Sequence, residues 1–191
     1  MDDRLRRLDE RILRFNLLLS QGILLVSAMA GSLWLHGLSG TVRLLGLPHG
    51  AQFLYVIGVI VLVVGSSIGM EHFLPARWQD DGEISRKIFQ GLSIWSTFWL
   101  CLFVGLSEEW LFRGVLQPLL GNGWTSVLFA IVHYRYLRKP LLMLSVLLTS
   151  LLLGWLFSFT GGLLAPVAAH AMIDFLLALY LRLVNPNERS G

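Results

Sequence analysis

Charge is what this chain most lacks: of its 191 residues only 14% are Asp, Glu, Lys or Arg, against 55% that are hydrophobic. The mean hydropathy is +0.67. A soluble core of this size would need polar surface along its helices, yet most segments here are apolar all round, as helices facing lipid must be. The scarcity excludes an ordinary soluble domain and leaves a membrane protein. With a net charge of only +3 and no nucleic-acid signature, nothing points to nucleic acid as a partner. Cysteine is nearly absent as well. The single Cys101 cannot close an intrachain disulfide, and its apolar run makes it a buried thiol.

What the chain has instead is uncharged runs at about 16–42, 52–69, 89–107, 114–132, 140–170 and 175–181. Glycine-rich breaks divide them further, "GNGW" at 121–124 and "TGG" at 160–162. The pattern predicts one all-α domain, a polytopic helical bundle with about six membrane crossings. The piece at 124–136 is short for a span, so it is either tilted within protein or half of a re-entrant pair. Basic residues test the count independently, because cytoplasmic loops collect them. Arg4, Arg6, Arg7, Arg11 and Arg14 precede the first run; Arg77, Arg86 and Lys87 follow the second; Arg135, Arg138 and Lys139 follow the fourth; Arg182 and Arg189 follow the last. The other connections hold only Arg43, and the alternation puts both termini in the cytoplasm. Near the N-terminus, Leu5, Leu8, Ile12 and Phe15 recur at helical spacing beside Arg4, Arg7, Arg11 and Arg14, the pattern of an amphipathic helix at the membrane surface.

An ionisable side chain inside the bilayer costs several kcal/mol, so each one there is a functional candidate. They are Glu108, Glu109 and Arg113 in "SEEWLFRG", His133 in "FAIVHY", and His170 and Asp174 in "APVAAHAMIDF". Counting 1.5 Å per residue from the nearest outer helix end places Glu108 about 18 Å deep, His133 about 13 Å, His170 about 12 Å and Asp174 about 18 Å. Groups from three helices thus share one depth. Glu109 and Arg113 stand four residues apart and can pair, as can His170 and Asp174. Glu108 points about 100° away from Glu109 and so can face the histidines while its neighbour holds the arginine. Three readings fit such a cluster: a packing network, a proton or ion pathway, or a hydrolytic site in which a carboxylate takes a proton from water and imidazoles stabilise an oxyanion.

The segments "EEWLFRG", "FAIVH" and "GWLFSFTGGLLAPVAAHAMIDFL", in that order across 105–181, resemble the EExxxR, FxxxH and HxxxN motifs of the CPBP family of intramembrane proteases, which includes CAAX prenyl endopeptidases and Abi-type bacterial proteins. The resemblance implies that Glu108 activates water with help from His133. It implies that Glu109 and Arg113 support the site, and that His170 with Asp174 stabilises the oxyanion. Where the family often has asparagine, this chain has Asp174. An ionised aspartate cannot donate to an oxyanion, so Asp174 either serves as a neutral acid or orients and charges His170.

No cofactor is required on this reading. The alternative is a divalent metal such as zinc at Glu108, His133, His170 and Asp174, although the HExxH helix of zincins is absent. The implied organisation is an amphipathic segment at 1–15, two spans and a loop at 16–88, a catalytic helical core at 89–184 and a tail at 185–191. The implied activity is endoproteolysis of a membrane-associated, lipidated or CAAX-like peptide in a bacterial inner membrane, with lipid as the surrounding partner. A non-catalytic binding, immunity or assembly protein is the competing class. Trp110, Phe112, Trp155 and Phe159 could line a lipid-like groove or simply pack.

Overall fold

The computed structural model describes residues 3–73, 83–133 and 139–184. Among them every regular element is helical: α1 (Asp3–Arg43), α2 (Gln52–Phe73), a short α3 (Glu83–Phe89), α4 (Ile94–Glu109), a π-helical segment (Trp110–Leu116), α5 (Gln117–Val132), α6 (Pro140–Thr160) and α7 (Leu164–Val184). Arg77, Arg135, Arg138 and Arg189 lie outside the described residues, as do the side chains of Arg4, Leu5, Arg6, Arg7 and Leu8.

Five stretches are long and apolar enough to cross a membrane: Glu10–Arg43, Gln52–Phe73, Ile94–Val132, Pro140–Thr160 and Leu164–Val184. The third, of 39 residues, folds back on itself. Gly121 breaks it with φ 76° and ψ 166°, a region of backbone space nearly closed to residues with a Cβ. Beyond the break Phe129 returns to within 4.8 Å of Phe112, ring centre to ring centre. A straight helix would hold the two about 25 Å apart. The arm after Gly121 is therefore the short piece expected after the "GNGW" break, and it packs between the π segment and α6. The "TGG" break likewise ends α6, with Gly161 in the left-handed conformation at φ 71°.

The amphipathic N-terminal segment is helical and runs directly into the first span, within an element of 41 residues that is kinked near its end at Gly37, where φ is 63° and ψ 179°. Arg14 Nε donates to Ile88 O at 2.8 Å and its Nη2 to Gln90 O, while Arg182 donates to Phe89 O at 3.2 Å and to the Thr97 hydroxyl. The beginning of α1, the α3–α4 link and the end of α7 thus meet at one face of the bundle. At the core, Val56, Val59 and Val63 of α2 fit against Leu153 and Leu156 of α6 and the small Ala165 and Ala169 of α7. The opposite side of α2 presents Leu54, Ile57, Val61 and Leu62 outward, as a lipid-facing surface requires.

Candidate active site

Local chain chemistry sets the site's frame. At Gly105, α4 and α7 touch so closely that a Cβ would lie 3.1 Å from Ala171 N and 3.3 Å from Val167 O. A small residue is what lets two backbones approach in this way. One turn further along α4 come Glu108 and Glu109, and beside Ala171 comes His170, so the contact at Gly105 sets the spacing between carboxylates and imidazole.

Directly after the two glutamates the helix widens. Gln117 N–H bonds Phe112 O, five residues back, which marks the π turn. Pro118 contributes to it: proline has no N–H for the carbonyl four residues earlier, and that carbonyl, Gly114 O, instead accepts from His36 Nε2–H at 2.8 Å. Widened turns of this kind recur at functional sites because they re-aim neighbouring side chains.

Glu109 is fully buried and fully engaged. Its Oε2 accepts from Arg113 Nε at 2.9 Å, and its Oε1 accepts from His170 Nδ1–H at 2.8 Å. Arg113, also fully buried, donates to Ser150 Oγ at 2.8 Å and to Gln117 Oε1 at 3.5 Å, and its guanidinium lies over the Phe129 ring, 5.8 Å from the centroid. Gln117 in turn bonds Gly154 O at 2.8 Å and Ser158 Oγ at 3.0 Å. A charge pair without water persists only when its remaining hydrogen-bonding capacity is met, and here α4, α5, α6 and α7 all contribute to meeting it.

Glu108 sits differently. Its Oε1 accepts from Gln21 Nε2 at 2.7 Å, while its Oε2 lies 4.0 Å from His170 Nε2. Asp174 Oδ2 is 3.5 Å from the same Nε2. His170 therefore stands between two glutamates, held by one through Nδ1 and facing the other through Nε2. His133 stacks on Phe129, centroids 4.6 Å apart at 28°, and its Nδ1–H donates to Phe129 O at 2.8 Å. Glu108, His133, His170 and Asp174 line one partly open cavity of about 710 Å³. From these four the cavity runs toward the face that carries α3, where Arg86, Phe89 and Tyr180 border it.

All six sequence-predicted residues are thus brought together, two in the closed network of Glu109 and Arg113 and four on the cavity wall. Trp110, Phe112, Trp155 and Phe159 do not line this cavity. Trp110 donates to Ser32 Oγ at 2.8 Å, Phe112 packs on Phe129, and Trp155 stacks on Phe159 beside Tyr55. For the metal alternative, no three His, Cys, Asp or Glu side chains among the described residues are arranged to hold an ion. His170 commits Nδ1 to Glu109, and its Nε2 stands 4.0 Å from Glu108 Oε2 and 3.5 Å from Asp174 Oδ2.

Sequence reasoning missed Gln21, Ser107, Gln117 and Ser150. Gln21 carried a legible signal, an amide within the uncharged run 16–42, but motif spacing gives it no weight because it lies far along the chain from Glu108.

A family model described as Type II CAAX prenyl endopeptidase Rce1-like matches residues 90–176. The chain is also 34% identical over 160 residues to the uncharacterized protein YpbD of Bacillus subtilis (strain 168), covering 84% of this chain and 85% of the relative. No solved structure matches it.

Proposed function

The chain belongs to the Rce1-like family of type II CAAX prenyl endopeptidases, and from that membership and the site's geometry we propose that it is an intramembrane endopeptidase in which Glu108 activates the attacking water. Family membership implies a protease, and the helices long enough to span a bilayer make it an integral membrane protein. One observation carries the mechanism: Glu108 presents Oε2 to His170 Nε2 across 4.0 Å at the deep end of a cavity that also holds His133 and Asp174. A water oxygen between the two atoms reaches both at hydrogen-bond distance.

In the proposed reaction Glu108 Oε2 takes one proton from this water as its oxygen bonds to the scissile carbonyl carbon. His133 helps orient the water. The carbonyl oxygen becomes an oxyanion, to which protonated His170 donates Nε2–H while Glu109 holds Nδ1–H and fixes the ring. The proton on Glu108 then passes to the leaving amine as the C–N bond breaks. The proposed steps use these side chains and water alone. The substrate is a membrane-associated peptide, lipidated or CAAX-like. The face bearing Arg14, Arg86 and Arg182 is cytoplasmic under the rule that basic residues stay inside, which puts both termini there in a bacterial inner membrane.

The test is cleavage of lipidated and unlipidated peptides by purified, reconstituted chain and by its Glu108→Gln form. We expect the variant to lose at least about 1,000-fold in kcat while folding normally. Equal cleavage by both removes Glu108 as the base. Loss of no phenotype in cells that carry the variant would favour a binding protein built on the same cluster.

A further inference from the structure

We infer that Gln21 of α1, outside the segment matched by the family model, is a positioning residue that selects which oxygen of Glu108 acts as the base. The inference rests on the reading of Glu108 as that base. Gln21 is 5% exposed within the uncharged run 16–42 of α1, and an amide buried there is costly unless both its ends are bonded. Both are. Its Nε2 donates to Glu108 Oε1 at 2.7 Å, and its Oε1 accepts from the Ser107 hydroxyl.

The orientation of the amide follows from chemistry. A carboxylate has only acceptors, so the NH₂ end must face Glu108, and the carbonyl end then meets the hydroxyl of Ser107. The reverse orientation would set the amide oxygen against a carboxylate oxygen. The terminal torsion of a glutamate is soft, and one anchored oxygen is what stops the carboxylate plane from turning. With Oε1 held by Gln21, Oε2 is the oxygen left facing His170 Nε2 and the cavity.

Placement of Gln21 depends on contacts made by the rest of α1. Trp110 Nε1–H bonds Ser32 Oγ at 2.8 Å, and His36 bonds Gly114 O at 2.8 Å. Gly31 lies against Val115, whose Cγ1 would be 2.9 Å from any added Cβ. These contacts lash α1 to the π segment just past Glu109, so the helix that lacks every family motif is registered against the one that carries EExxxR. The catalytic unit of this chain therefore extends beyond 90–176 to include α1.

The experiment uses the full chain in lipid nanodiscs. Gln21→Met keeps side-chain length and removes the amide. It is expected to lower kcat about 10- to 100-fold with KM changed by less than about twofold, because the base is misaligned while the cavity persists. Ser107→Ala, which removes only the hydroxyl behind the amide, is expected to give a smaller fall in kcat of the same kind, and it serves if Gln21→Met does not fold. A readout free of cleavage is the infrared carboxylate band assigned to Glu108 by subtracting the Glu108→Gln spectrum. Gln21→Met is expected to move that band. Unchanged kcat, or a rise in KM alone, overturns the inference. A band that does not move overturns the contact itself, whereas a moving band in a chain that cleaves nothing sinks the base assignment and the positioning role with it.

Discussion

Glu108 and Glu109 are neighbours in sequence, yet they stand in two different regions of the molecule. On the Glu109 side four helices converge, water is excluded, and each polar atom of the carboxylate and the guanidinium has a partner. On the Glu108 side one oxygen is tied down and the other borders a cavity of about 710 Å³. Two identical side chains on consecutive residues thus receive opposite surroundings because a helix rotates about 100° per residue and a π turn follows immediately. The difference teaches that a carboxylate pair in a membrane need not share one role: the closed region holds shape, and the open region is where chemistry has room to occur.

The sharpest way to break that contrast is to open the closed half. Arg113→Met leaves Glu109 buried without its counter-charge and is expected to cost about 3–5 kcal/mol of stability. Thermal unfolding in detergent or nanodiscs would show it as a large drop in Tm, where Glu108→Gln leaves Tm nearly unchanged. Similar Tm losses for the two variants would erase the distinction between the regions.

A smaller effect is expected at the joint between them. Gly105→Ala pushes on Ala171 N and Val167 O and should destabilise by about 1–3 kcal/mol, as overfilled contacts do. Because that contact spaces His170 from both glutamates, kcat should fall along with Tm, a coupling that parallel melting and cleavage measurements would reveal. A fall in Tm with full kcat would mean the spacing tolerates the shift.

The smallest change is expected on the open side, at Asp174. At 3.5 Å its oxygen is beyond a good hydrogen bond to His170 Nε2, so Asp174→Asn should alter kcat by less than about tenfold and leave Tm in place. A much larger loss would show that the aspartate's charge, which distinguishes this chain from the common HxxxN pattern, is needed by His170.

Much of this was legible along the chain. Uncharged runs and glycine breaks forecast the helices, and Gly121 and Gly161 have the positive φ that the "GNGW" and "TGG" breaks imply. Spacing of four residues forecast the Glu109–Arg113 and His170–Asp174 contacts, because helical geometry alone brings such positions together. The aromatic residues were the opposite case. Trp155 and Phe159 also stand four apart, but whether a helix face meets a cavity or another helix depends on its neighbours, and here they meet Tyr55.

By itself, then, the sequence determined that this is a helical membrane protein with six ionisable groups set in or beside apolar runs, since insertion into lipid and the 3.6-residue turn are properties of local composition and spacing. Tertiary structure alone decided that His170 sits between the glutamates, that Gln21 reaches Glu108 from a distant helix, and that one carboxylate is sealed while the other borders a cavity. The physical reason is that burial and hydrogen-bond partners come from side chains remote along the chain, so which of two equal carboxylates is enclosed is settled only when the helices pack.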